Sequence, residues 1–264
     1  MHGNIDLLYQ KSIGIVGSRL GTDYGKNMAK YFSKEIALCD IVIVSGLAKG
    51  TDSIAHNECI INGGKTIGVL GTGFKYIYPK ENMTLIKEML DSGGLIITEY
   101  EDEEKYDKSH FPVRNRIISG LSEGIIVIEA AIRSGSCITA RLAKKQGKKV
   151  FAVPGRTNDM YSRGTNKLIK EGAILIEDIN DISQNFDIPT IRRNSTRINE
   201  KYERIYNLLK QGDLSVEEIS NILNEDFFDI LKTLSSMEIE DIVEKDINKY
   251  RIKMWGRSNE EQFS

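Results

Sequence analysis

The sequence predicts an α/β protein, a doubly wound parallel sheet followed by a small C-terminal winged helix-turn-helix domain. Three observations carry that reading. Seven short apolar runs rich in Ile and Val recur between residues 12 and 177, continuously apolar as parallel strands buried on both faces must be. Helix-like stretches separate them, and strict β/α alternation builds a parallel sheet with helices on both faces. After Asp187 the alternation stops, and three helical segments and a short hairpin follow.

In chain order, the predicted strands are Ser12–Ser18, Ile41–Gly46, Thr66–Thr72, Leu95–Glu99, Gly124–Ala130, Lys149–Gly155 and Ala173–Glu177. Helices are expected over Tyr24–Leu38, Asp52–Asn62, Asn82–Leu90 and Thr139–Gln146, with another opened by Arg114, Asn115 and Arg116 and running through Ser119. Residues 1–187 form the first domain. Residues 188–199 (IPTIRRNSTRIN) are polar, carry a proline and have no apolar period, so they read as a linker. Residues 200–255 form the second domain. Its first helix, Glu200–Lys210, ends at Gly212; Ser215 caps a helix over Val216–Leu223 with Glu218 at the capping-box position; a third covers Asp226–Met237. Ile242–Lys245 and Tyr250–Lys253 pair as a hairpin, and residues 256–264 are a tail.

Composition narrows the function. Of 264 residues, 40% are apolar and 28% charged, as in an ordinary soluble protein. No apolar run approaches the ~20 residues that span a bilayer, and no signal peptide is evident at the start, so a cytoplasmic protein is expected. Cys39, Cys59 and Cys137 are odd in number and widely spaced, which suits small buried hydrophobes in a reducing compartment. Net charge is −2, split as +3 over residues 1–195 and −5 over 196–264. Any polyanion site must therefore be local and shaped.

In a doubly wound sheet, ligands collect at the carboxyl ends of the strands. Four loops there are rich in small residues: Gly17-Ser18-Arg19, Ser45-Gly46 with Lys49-Gly50, Gly71-Thr72-Gly73, and Ser134-Gly135-Ser136 ahead of Thr139. Glycines let a backbone approach a ligand, and free N–H groups at a helix start attract anions. Taken singly, each loop is ordinary turn chemistry; four on one edge, two with a basic residue, favour an anion site. GxGxxG fails because Tyr76 holds the third glycine position, and no GxxxxGK[ST] occurs. A long anion crossing several loops fits better than a mononucleotide. The segment from Lys108 to Arg116 (KSHFPVRNR) adds basic residues beside Phe111, the composition of a single-strand binding site. Arg114 and Arg116 also suit a structural role, tying the loop to Glu99 or Glu129, and at least one of them is read that way.

Catalysis finds little support. The only histidines are His2, His56 and His110; His56 lies one helical turn after Asp52, and that pairing suits a helix-surface contact better than a dyad. No metal-ligand spacing or GxSxG elbow is present, and no cofactor is expected.

These residues resemble the DNA-processing protein A (DprA/Smf) family. The matching stretches are Gly14–Arg19, Ser45–Asp52, Val69–Gly73 with Tyr78-Pro79 and Asn82, Phe111–Ser122, Glu129-Ala130, Ser134–Ala140, Val150–Gly155 and Gly164–Ile169. The resemblance implies a Rossmann-like, non-catalytic homodimer that binds single-stranded DNA and loads RecA recombinase during natural transformation or recombination. It places the family's DNA pocket on Lys49, Lys108 and Phe111. Three departures stand out. Lys49 replaces the usual arginine and offers a point charge instead of a planar fork. The small helical domain that opens many members has no counterpart before the first strand. The third helix of the tail domain, with Asp226 and Asp229 against Lys232, is acidic enough to repel phosphates, which favours a protein contact over duplex reading. The competing reading is a nucleotide-hydrolysing enzyme of the lysine-decarboxylase-like phosphoribohydrolase type, whose PGGxGT loop and following Glu have no match in Ser134–Thr139.

Overall fold

A computed structural model of the chain describes residues 1–186, 200–239 and 242–252. The chain divides into two compact units, Met1–Ile191 and Arg192–Ser264. The predicted linker (188–199) and tail (256–264) lie outside the described residues, as does Lys253 at the expected end of the hairpin.

The first unit runs β1 (His2–Gly3), β2 (Ser12–Val16), α1 (Asp23–Leu38), β3 (Val42–Ser45), α2 (Thr51–Ile61), β4 (Thr66–Val69), α3 (Met83–Asp91) and β5 (Leu95–Ile97). It continues with α4 (His110–Leu121), β6 (Gly124–Val127), α5 (Gly135–Lys145), β7 (Lys149–Ala152), α6 (Arg163–Lys170), β8 (Ile174–Leu175) and α7 (Ile179–Ser183). The sheet order is β1-β5-β4-β3-β2-β6-β7-β8. Strands β2 to β8 are parallel and β1 pairs antiparallel with β5. The order reverses at β2, whose Gly14 lies between Val44 and Ile125, so the switch point falls between β2 and β6. All seven predicted strands are present. Their Ile and Val side chains are buried along β2, β3 and β6, each contributing roughly 1.5–3 kcal/mol by leaving water.

Helices α6 and α7 add to the elements named from sequence, and three further features differ from expectation. Strand β1 is too short to show a period; it forms because Gly3, at φ 107°, brings its backbone against Gly94, where a Cβ would lie 2.1 Å from the carbonyl oxygen. Helix α4 opens at His110 instead of Arg114, because Pro112 falls in the first turn, where its missing N–H would be unpaired anyway. Helix α5 opens at Gly135 instead of near Thr139. Ser134 is its N-cap and accepts from Cys137 N at 3.3 Å, so the apparent glycine-serine loop is the first helical turn.

In the second unit, α8 (Glu200–Leu209), α9 (Val216–Leu223) and α10 (Phe227–Ile239) precede an antiparallel hairpin of β9 (Val243–Asp246) and β10 (Lys249–Ile252). The predicted capping box is formed: Glu218 N donates to Ser215 Oγ at 3.2 Å and Ser215 N to the Glu218 carboxylate at 2.7 Å. Tyr206, Ile219, Leu234, Met237, Val243 and Tyr250 close its core.

Candidate nucleic-acid interface

The loops at the carboxyl ends of β2, β3 and β6 are pinned to one another before any ligand arrives. Ser136 Oγ donates to Gly17 O at 2.7 Å, Thr51 N to Ser18 O at 3.2 Å, and Ser45 Oγ to Ile15 O at 2.6 Å. Two glycines permit the approach. At Gly17 a Cβ would lie 2.3 Å from Thr51 Oγ1, and Gly50 adopts φ 79° with Ser18 O at 2.5 Å from a Cβ position. Ser45, Ser136 and Thr139 are buried, and each hydroxyl donates to a backbone carbonyl, Thr139 to Gly135 O at 3.2 Å. They hold the loops in place, whereas Ser18 and Gly135 remain on the accessible side.

Helix α4 supplies the floor. Arg114 is buried, and its Nη1 donates to the carbonyls of Gly46 and Val69 at the ends of β3 and β4, while Nε donates to Asn115 Oδ1 at 3.2 Å. Burial pulls its pKa down to about 10, and the nearby Asp52 carboxylate opposes that shift. Burial likewise raises Asp52, against the pull of Arg114. Gly46 lies between the pair, where a Cβ would be 2.6 Å from Arg114 Nη2 and 2.7 Å from Asp52 Oδ2. Asn115 Nδ2 donates to Gly135 O at 3.2 Å, which ties α4 to α5. Arg116 pairs at the surface with Glu99. Both arginines are thus engaged within the protein, one buried and one exposed.

Above this floor stands a cluster of rings and cations in which Tyr78 and Tyr106 are exposed and Phe111 is half-buried. Phe111 lies with its ring centroid 5.4 Å from Tyr106 and 6.0 Å from Tyr78, and those two tyrosines are 4.3 Å apart. The Arg19 guanidinium sits 5.5 Å from the Phe111 centroid. Lys49 carries an exposed ion pair with Glu81 at 2.5 Å, and that hydrogen bond raises its pKa. Two cavities open here. One, of about 540 Å³, covers the switch point and is lined by Arg19, Lys108, Phe111, Ser134 and Gly135 among others. The second, of about 300 Å³, is lined by Arg19, Lys49, Tyr78 and Phe111 among others. Gly17, Ser18, Arg19, Lys108, Phe111, Ser134 and Gly135 therefore share one cavity wall, and Gly46 and Lys49 belong to its neighbour. Tyr78, Tyr106 and the carboxylate of Glu81 were not singled out as site residues from sequence. The run Lys105-Tyr106-Asp107-Lys108 carries the same basic-aromatic signal as Phe111, but only the fold brings Tyr78 across to meet it.

Two buried titratable groups lie beneath the interface. Glu129, at the end of β6, accepts from Thr22 N at 2.9 Å and Thr22 Oγ1 at 2.6 Å, so its carboxylate occupies the anion position at the start of α1. Gly25 must lack a side chain there, since a Cβ would lie 2.1 Å from Glu129 Oε2. His56 is fully buried rather than on the helix surface, because α2 turns that face onto the sheet.

The fold and this edge define a class: a doubly wound α/β protein with a cation-and-ring surface over its switch point and no nucleotide loop. Comparison with known proteins makes it specific. Residues 1–187 match the family model described as DNA recombination-mediator protein A, and the chain belongs to that family. It is 48% identical over 181 residues to the DNA processing protein DprA of Bacillus subtilis, covering 68% of this chain and 61% of that one. It is 40% identical over 185 residues to protein Smf of Escherichia coli, covering 70% of this chain and 50% of that one. The chain thus spans about half to three fifths of the length of these two relatives. Among solved structures, DprA from Streptococcus pneumoniae superposes with a TM-score of 0.66 at 43% identity, covering 71% of this chain and 66% of that one. A DprA from Helicobacter pylori, solved for its single-stranded DNA binding mode, gives 0.65 at 34% identity, covering 71% and 86%.

Proposed function

We propose that this chain is a non-catalytic single-stranded DNA-binding protein that protects incoming strands and loads RecA recombinase in natural transformation and homologous recombination, acting in the cytoplasm as a homodimer. The observation that carries the reading is the Phe111-Tyr78-Tyr106 cluster ringed by Arg19, Lys49 and Lys108. Exposed rings stack on unpaired bases, each worth about 1–3 kcal/mol, while the cations take the backbone. The Helicobacter pylori relative, studied for single-stranded DNA binding, supports the choice of ligand. Residues 1–187 form the binding domain in this reading, with the site residues named from sequence divided between contact and support. Against nucleotide hydrolysis, both oxygens of Glu129 accept from Thr22 deep in the fold, which leaves that carboxylate no reach to a substrate.

Residues 200–255 are read as a winged helix-turn-helix domain on the strength of three helices and a hairpin. Asp226 and Asp229 at the start of α10, beside the exposed ring of Phe228, favour a protein partner over duplex DNA.

The test is salt-dependent binding to single-stranded and duplex oligonucleotides by wild type and by the double variant Lys49→Ala/Lys108→Ala. Preference for the single strand, weakened in the variant with a shallower salt slope, supports the site. Equal weak binding to both, unchanged by the substitutions, refutes it.

A further inference from the structure

The two cavities share a ridge. Arg19, Leu20, Ala48 and Phe111 line both, and Leu20 is 76% exposed on it. On one side lie Lys49 and Tyr78, which follow β3 and β4. The other side crosses the switch point to the loops after β6 and β7, where Arg133 and Tyr161 line the larger cavity. These two loops are tied together: Ala130 N donates to Tyr161 O at 2.6 Å, and Gly164 N to Ala130 O at 2.7 Å. Arg133 is exposed and makes no ion pair among the described residues.

We propose that Arg133 and Tyr161 form a second nucleotide compartment, across the switch point from Phe111, so that the bound strand passes over the Leu20 ridge with bases in both cavities. This deepens the single-strand reading and rests on it. The chemistry repeats that of the first compartment, with a guanidinium for a phosphate and a ring for base stacking. Unlike Lys49, which Glu81 holds, Arg133 meets a phosphate without displacing a carboxylate. The Leu20 side chain offers no hydrogen bond; an aliphatic side chain standing between two cavities separates neighbouring bases instead of reading them.

The experiment measures binding of oligothymidylate against salt for wild type, Arg133→Ala, Arg133→Lys, Tyr161→Leu and the exposed α5 control Arg141→Ala. Arg133→Ala is expected to weaken binding and reduce the slope of log K against log salt by about 0.7, one phosphate on a single strand, with Arg133→Lys restoring the slope. Tyr161→Leu weakens binding about fivefold or more and leaves the slope unchanged. If Arg133→Ala changes no more than Arg141→Ala and Tyr161→Leu matches wild type, the second compartment is refuted while the first stands. Failure of Lys49→Ala/Lys108→Ala to weaken binding refutes the underlying reading instead, so the two failures are distinct.

Discussion

His56 Nδ1 lies 2.7 Å from Thr66 Oγ1, and the same hydroxyl lies 2.8 Å from the carbonyl of Ile43. A threonine has one proton, and the carbonyl can only accept it. The Thr66 oxygen therefore accepts from His56, which is a neutral imidazole with its proton on Nδ1. Its Nε2 has no hydrogen-bond partner among the described residues. Burial first, then the positive charge of Arg114, pulls its pKa down from 6.5 to about 3.

That shift sets a pH dependence. The unfolded histidine takes a proton below about 6.5 while the folded one does not, so stability is fully present above 6.5 and is lost as pH falls toward 3. The loss approaches about 1.4 kcal/mol per pH unit. Asp52 acts with the opposite sign: its raised pKa favours the protonated form in the fold, a contribution present at low pH and lost as pH rises. Urea unfolding at pH 7 and pH 5 is expected to show a drop in wild type that His56→Gln largely abolishes. Equal drops in both proteins would refute the assignment.

Arg114 and Arg116 are two residues apart, yet their removal has different costs. Arg114→Ala leaves two strand-end carbonyls unpaired and Asp52 without its counter-charge, and is expected to cost about 3–5 kcal/mol. Arg116→Ala breaks an exposed pair and costs about 0–1 kcal/mol. Denaturant midpoints at constant slope check both values.

Gly25→Ala drives a methyl group into the Glu129 carboxylate. A loss of about 3 kcal/mol is expected, because the overpacked carboxylate moves off Thr22 at the start of α1. The double variant Gly25→Ala/Glu129→Ala should recover part of it, and a double-mutant cycle by urea unfolding measures the coupling.

At the interface, Glu81 competes with phosphate for Lys49. Glu81→Gln is expected to tighten single-strand binding severalfold at low salt. Phe111→Ala weakens it by about 1–3 kcal/mol without changing the salt slope, and Lys49→Ala lowers that slope by about 0.7. Fluorescence anisotropy over a salt series separates the three behaviours.

Ile247 occupies a left-handed conformation, φ 55°, at the exposed tip of the hairpin. A β-branched side chain is strained there. Ile247→Asn is expected to raise the stability of the second unit by about 1 kcal/mol, read as a higher melting temperature.

Seven strands, their parallel pairing and the four loops on one edge were legible in the sequence, because apolar period and glycine-rich turns are local signals. The basic and aromatic character of Lys49, Lys108 and Phe111 is also a local signal, although the family resemblance singled out their pocket. The helix starts at His110 and Gly135 were misplaced by four residues each, since a proline and a glycine-serine pair look like loop until the first turn's unpaired N–H groups are counted.

What the sequence determined by itself is the order of elements and the chemistry on each loop; both follow from neighbours along the chain. Which basic residues face solvent was decided by the tertiary structure. Arg114 and Arg116 share one helix turn, but helix phase buries the first against Gly46 and Val69 and leaves the second at Glu99. The meeting of Tyr78 with Phe111 spans 33 positions of the chain, and the partition of one edge into two cavities depends on the contact of Arg19 with Phe111 across 92. No local pattern encodes such distances, because loop closure joins segments whose sequences carry no mark of each other.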